Sequence, residues 1–128
     1  MAQFNPYEQY NNVSFSTADP GSLVVTTYNA IIRALKEASR GMIEGDYTAR
    51  TKSFDLAFEL ISELRKSINP EAGTGEFAKK LDALYDFFTR ELITANANSN
   101  PEKLIPVIEI LVDLRDAWNQ ARKQVATA

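Results

Sequence analysis

The sequence predicts an all-α fold, an antiparallel four-helix bundle preceded by a short N-terminal flap in helical or extended form. Three observations predict it. Apolar residues recur at alternating steps of three and four along four long segments, the narrow seam of helices packed nearly parallel to one another. Clusters rich in Gly, Pro and Asn separate those segments. A chain of 128 residues is also long enough for one domain with one core, and short enough to make a second unlikely on size alone. The expected organisation is a single domain over 1–128, with flap and linker at 1–16, the bundle at 17–122 and a frayed tail at 123–128.

The flap is aromatic. Phe4, Tyr7 and Tyr10 are spaced by three, and Asn5-Pro6 followed by Glu8 suits a turn or two of helix, too short to be stable alone. Rings so placed gain from packing on the body, either as a permanent edge of the core or as a detachable cover; the pattern leaves both open. The run Asn11 to Ala18 lacks helical periodicity and reads as a linker, with Val13 and Phe15 as anchors.

The first long helix is predicted from Pro20 to Glu44. Asp19 suits the cap and Pro20 the first helical position, where no amide donor is needed. Its seam is Val24, Tyr28, Ile31, Leu35, Ala38 and Met42, and Gly41 weakens the last turn. Gly45 ends it in a left-handed turn and Asp46 caps the next helix at once, which makes the two antiparallel neighbours. The second helix, Tyr47 to Ile68, carries Phe54, Ala57, Ile61, Leu64 and Ile68 inward, with Leu56, Phe58 and Leu60 off that seam.

Asn69-Pro70 stops the second helix, and the PEAGTGE loop leads to a third from Gly75 to Ala97. There Phe77, Leu81, Leu84, Phe88, Leu92 and Ala95 are expected inward, flanked by Tyr85 and Phe87. Ser99 or Asn100 then caps a fourth helix reaching Arg122, with the seam Leu104, Val107, Leu111, Leu114, Trp118, Ala121 and Val125. Pro106 predicts a kink there or a later start. A weak internal echo joins the halves: TYNAIIRAL from Thr27 matches LYDFFTREL from Leu84, and ELISELR from Glu59 matches EILVDLR from Glu109.

Composition removes several function classes. The chain has no cysteine and no histidine, so it lacks disulfides, thiolate metal sites, the commonest general base and the commonest transition-metal ligand. Acidic pairs one helical turn apart, at Glu59 and Glu63, Asp82 and Asp86, and Glu109 and Asp113, resemble half of a di-iron site, but the Glu-x-x-His partners are missing and a solvated charged face is the better reading. PEAGTGE lacks the lysine and the strand context of a phosphate loop. A net charge of -3, with both signs spread along the chain, gives no nucleic-acid footprint. Arg33, Lys36 and Arg40 read as a solvated basic face. No apolar run is long enough to span a bilayer and no signal peptide is evident, so the expected location is the cytoplasm, with no cofactor and no catalysis.

The surplus of apolar residues is more informative. Leu56, Leu60, Phe87, Ile105, Ile110 and Val112 exceed what the seams require, and a large apolar patch left outside a core usually marks an interaction site. With Tyr7 and Tyr10 of the flap they form the candidate partner-binding set.

The order of short motifs along almost the whole chain resembles one family. Tyr10, Val13, Thr17-Ala18, Pro20, Leu23-Val24 and Tyr28-Asn29 are followed by Glu63-Leu64, Glu71-Ala72-Gly73, Leu84-Tyr85, Ala95-Asn96, and Leu114-Arg115 with Trp118. Together they look like the flagellar secretion chaperones, FliS. Where the family usually has Leu-Tyr-Asp-Gly, this chain has Thr27-Tyr28-Asn29-Ala30, keeping only Tyr28. The resemblance implies a cytoplasmic four-helix bundle that binds the C-terminal segment of flagellin, prevents premature polymerisation and assists delivery to the flagellar type III secretion apparatus. It implies no catalysis, and it allows other flagellar export or regulatory partners. It also implies that the client lies along apolar grooves outside the bundle and that the N-terminal segment covers part of that surface. The alternative reading is a structural bundle without a client, whose spare apolar faces meet in a homodimer.

Overall fold

The computed structural model describes residues 20–68 and 75–127, with only the backbone described at 20, 21 and 124–127. Among them are four α-helices, α1 (Pro20–Glu44), α2 (Tyr47–Ser67), α3 (Glu76–Ala97) and α4 (Leu104–Thr127), with a 3-10 turn at Pro101–Lys103 leading into α4. No strand occurs among the described residues. The expected flap, the Asp19 cap and most of the PEAGTGE loop lie outside the described residues.

Two tight hairpins set the topology. Gly45 takes φ 74°, and the Asp46 amide donates back to the Gly41 carbonyl at 2.9 Å, which satisfies an orphan carbonyl at the end of α1. The Asp46 side chain then accepts from the Ala49 amide at 3.1 Å, starting α2. The second hairpin repeats the device with different residues. Ser99 takes φ 49°, the Asn100 amide donates to the Ala95 carbonyl at 2.9 Å, and the Asn100 side chain accepts from the Glu102 amide. Asn100, not Ser99, is therefore the cap. The α-helix begins at Leu104, which places Pro106 in its first turn, where the missing amide costs no hydrogen bond.

Gly41 has a role beyond the propensity argument. A β-carbon there would lie 2.9 Å from both the Arg50 nitrogen and the Asp46 carbonyl oxygen, so glycine is what lets the start of α2 approach the end of α1.

α1 packs most extensively on α2 and next on α4; α2 also carries α3, while α1 and α3 face each other across the diagonal. Being flanked on two sides, α1 buries more than its seam. Tyr28, Ile31, Leu35 and Ala38 are inaccessible, and Ala30, Ile32 and Ala34 are nearly so. From α2 come Phe54, Ala57, Leu60, Ile61 and Leu64, and from α4 Leu104, Val107 and Leu111.

Helix α3 departs from its expected seam. Tyr85 is buried and Phe77, expected inward, is 66% exposed. Its inward stripe runs through Ala78, Tyr85, Phe88, Leu92 and Ala95. The helix is turned so that the Tyr85 hydroxyl meets that of Tyr28 at 2.7 Å in the interior, a partner that a buried tyrosine requires. α4 also departs from expectation at its end. Its backbone stays helical to Thr127, because Lys123 to Thr127 includes no glycine or proline to stop it.

Residues matched by the internal echo make matching contacts. Tyr28 corresponds to Tyr85, and these two bond to each other. Arg65 donates from α2 to Asp86 on α3 at 3.3 Å; its counterpart Arg115 donates from α4 to Asn29 on α1 at 3.0 Å, and Asn29 is the counterpart of Asp86.

Candidate partner-binding surface

The predicted partner-binding residues divide by burial. Tyr7 and Tyr10 lie outside the described residues. Leu60 belongs to the core: it is 2% exposed, because α2 is flanked by both α1 and α3 and buries an arc wider than one seam. Enclosing a leucine this completely contributes about 1.5–3 kcal/mol to the fold. Leu56, Phe87, Ile110 and Val112 are partly buried against the core and keep an accessible side. Phe87 leans on Phe88 with ring centroids 6.2 Å apart. Ile105 is 52% exposed.

The structure exposes four large apolar residues outside that set: Ile43, Tyr47, Phe77 and Ile93. Ile43 and Ile93 lie off the seams of α1 and α3, as Ile105 lies off that of α4. Tyr47 and Phe77 sit in first helical turns, where a seam has just begun and its phase is poorly defined.

Ile43, Tyr47, Ile93 and Ile105 all belong to the end of the bundle where the two hairpins meet. Arg50 of α2 fastens that end, donating through Nε to the Asn96 side chain at 3.0 Å and through Nη2 to the Asn96 carbonyl. At the opposite end a depression of about 350 Å³ opens between α2 and α3, lined by Arg65, Ile68, Ala78, Lys79 and Asp82. Of its charged groups Arg65 and Asp82 are engaged with each other, while Lys79 is exposed. Arg65 grips Asp82 in a fork at 2.9 and 3.1 Å and also reaches Asp86, which in turn pairs with Arg90.

Ion pairing engages part of the charged faces noted in the sequence. Arg40 bonds Glu37, Glu44 and Asp46, while Arg33 and Lys36 are exposed. The hydrogen bonds it donates to Glu37 and Asp46 hold the Arg40 guanidinium above its ordinary pKa. The Ala49 amide, and then Arg40, hold the Asp46 carboxyl below its ordinary value, and Arg65 does the same for Asp82. Burial pushes the Tyr28 hydroxyl up, against the opposing effect of hydrogen bonds with Tyr85 and Trp118.

Asp82 and Asp86 therefore serve a cross-helix ion pair, and Glu63 faces Lys66 at 3.5 Å. Among the described residues no group of three or more His, Cys, Asp or Glu side chains is placed to share a metal ion. No described helix is long and apolar enough to cross a membrane. What this surface offers is apolar contact area on a helical frame, beside charged side chains of which some are paired with one another.

Comparison with known proteins gives a consistent result. The sequence model of the family described as Flagellar protein FliS matches residues 3–125. The flagellar secretion chaperone FliS of Bacillus subtilis is 31% identical over 121 residues, covering 94% of this chain and 89% of its own. That of Vibrio cholerae is 32% identical over 117 residues, covering 88% and 85%. The Salmonella typhimurium chaperone of the same name is 29% identical over 105 residues, covering 81% and 77%. With a four-helix fold and a family match across almost its whole length, the chain belongs to the FliS family of flagellar proteins.

Proposed function

We propose that this protein is a non-catalytic cytoplasmic export chaperone that binds the C-terminal segment of flagellin, keeps it from polymerising early and assists its delivery to the flagellar type III secretion apparatus. Membership of the FliS family, whose relatives are named flagellar secretion chaperones, is the observation that carries the reading. The apolar residues outside the core give it a physical basis. A disordered client loses chain entropy when it is ordered on a surface, and only an extended run of apolar anchors offsets that loss. Leu56, Phe87, Ile105, Ile110 and Val112 are the residues assigned here to that contact, with Tyr7 and Tyr10 covering part of it until the client arrives.

Calorimetric titration of the full chain with the C-terminal segment of its cognate flagellin tests the proposal. Saturable binding supports it. The absence of binding by a folded chain overturns it, and a concentration-dependent dimer in place of client binding favours a self-associating bundle. Removing residues 1–12 tests the cover: it changes the affinity if Tyr7 and Tyr10 share the client's site and leaves it unchanged if they do not.

A further inference from the structure

Helices α1 and α4 share an outer face whose charges are sorted by helix. The bond from Arg115 to Asn29, at 3.0 Å, marks the line along which the two helices meet. On α1, Lys36 and Ile43 follow Asn29 at successive steps of seven residues and continue its stripe. On α4, Val112 and Ile105 precede Arg115 by three and ten residues and lie beside the same line. Lys103 is on the other flank of that end, 3.9 Å from Glu91 of α3.

The middle of the face is apolar. Ile43, at 72% exposure, and Ile105 are two of the large apolar residues that the structure leaves open, and Ile108 and Val112 continue the strip as half-buried residues. Its edges are charged and of opposite sign. α1 presents Arg33 and Lys36, and α4 presents Glu109 and Asp113; all four are exposed, and among the described residues none of them is in an ion pair.

That division decides which occupant fits. A face with opposite charges on its two edges complements a second copy of itself turned about a two-fold axis parallel to the helices, because the turn lays α1 of one copy over α4 of the other. An axis across the helices would lay α1 on α1 and set like charges together. The heights agree as well. The helices run antiparallel from the level of Asn29 and Arg115, so Lys36, about 10 Å along α1, is level with Ile108 and adjacent to the height of Glu109. Rotation about the parallel axis preserves height and brings Lys36 of one copy to Glu109 of the other, twice in each dimer. A face about 20 Å long and two helices wide buries on the order of 1,000 Å² in such a pair, the lower end for specific interfaces, which makes the association weak and reversible.

We propose that the free chain self-associates through the α1–α4 face as a weak two-fold dimer, burying Ile43, Ile105 and Val112 between reciprocal Lys36–Glu109 pairs. A consequence rests on the proposed function, which gives Ile105 and Val112 to the client: the second copy and the client exclude each other, and the dimer keeps this apolar face out of water until flagellin arrives.

Sedimentation equilibrium of the full chain without client, from about 1 to 500 μM so as to bracket a micromolar Kd, tests the dimer. A monomer–dimer equilibrium is expected. Lys36→Glu and Glu109→Lys each set like charges together at both contacts and should weaken it at least about tenfold, with circular dichroism unchanged because both sites are exposed. An equimolar mixture of the two variants should restore association, since only the mixed pair has opposite charges at both contacts. A monomer at every concentration, a dimer that neither substitution weakens, or a mixture no tighter than its components overturns the proposal. So does a dimer abolished by removing residues 1–12, which would mean that this segment joins the copies. Added flagellin C-terminal segment should convert the dimer to a one-to-one complex. A complex holding two chaperone chains overturns the exclusion, whereas a segment that fails to bind overturns the proposed function and leaves the dimer result standing.

Discussion

The hydroxyl oxygens of Tyr28 and Tyr85 lie 2.7 Å apart inside the bundle, joining α1 to α3 across a diagonal that the helix backbones scarcely bridge. Removing one hydroxyl deletes the bond they share, which costs about 0.5–1.5 kcal/mol. Tyr28→Phe and Tyr85→Phe should each lower the urea midpoint. The double variant should lose less than the sum of the two, because it abolishes both ends of the shared bond. Urea unfolding followed by circular dichroism measures the cycle; strict additivity would mean that the two hydroxyls do not act together.

The same pair sets an alkaline limit. Burial raises the Tyr28 pKa above its ordinary value of 10.0, so the folded state favours the neutral phenol. Its contribution is complete below about pH 10 and is lost as pH rises from there through the folded value. Tyr28→Phe should flatten the alkaline fall in stability, read as thermal midpoint against pH. On the acid side the sign reverses. Asp46 and Asp82 titrate below 3.8 in the folded state, so their support is present above that value and is lost as pH falls through their depressed ones.

Gly41 and Gly45 should respond differently to alanine. At Gly41 the new β-carbon meets backbone atoms of α2 at 2.9 Å, and the helices must part by a few tenths of an ångström. A cost of about 1–3 kcal/mol is expected despite alanine's better helix propensity. At Gly45 there is open space but φ is 74°, so the cost is conformational, about 1 kcal/mol. Thermal unfolding of the two variants separates crowding from strain.

Two aspartate substitutions should separate core from binding surface. Leu60→Asp places a carboxylate in the packed interior and should unfold the chain or raise the carboxylate's pKa strongly. Ile105→Asp, at a residue 52% exposed, should change stability by no more than about 0.5 kcal/mol and keep the helical circular dichroism spectrum.

That contrast also shows what the sequence can and cannot specify. Gly45-Asp46 and Asn100-Pro101 carry their own turn chemistry, so the hairpins and the ends of α1 and α2 were legible from the residues. Seams settle which face of a helix is buried, but not how wide the buried arc is. The arc depends on how many helices flank it, and so Leu60 was grouped with Leu56 although only Leu56 keeps an accessible side. The rotation of α3 was hidden for a related reason. Phe77 and Tyr85 are both apolar enough to face inward, and a bond to Tyr28, distant in sequence, decides between them. The echo between the halves was visible, but its meaning emerged only when Arg65 and Arg115 were found on corresponding partners. The partner surface was legible as a surplus of apolar residues and only loosely as a location.

The proposed role rests on recognition of flagellin by apolar residues outside the core, and titrating the cognate flagellin C-terminal segment into the wild-type chain and into Ile105→Asp and Ile110→Asp tests it most directly. The account predicts saturable binding to the wild type and at least about tenfold weaker binding to each variant, as expected for loss of an apolar anchor, with circular dichroism unchanged. No binding by the folded wild type, or equal affinity in all three, would contradict it.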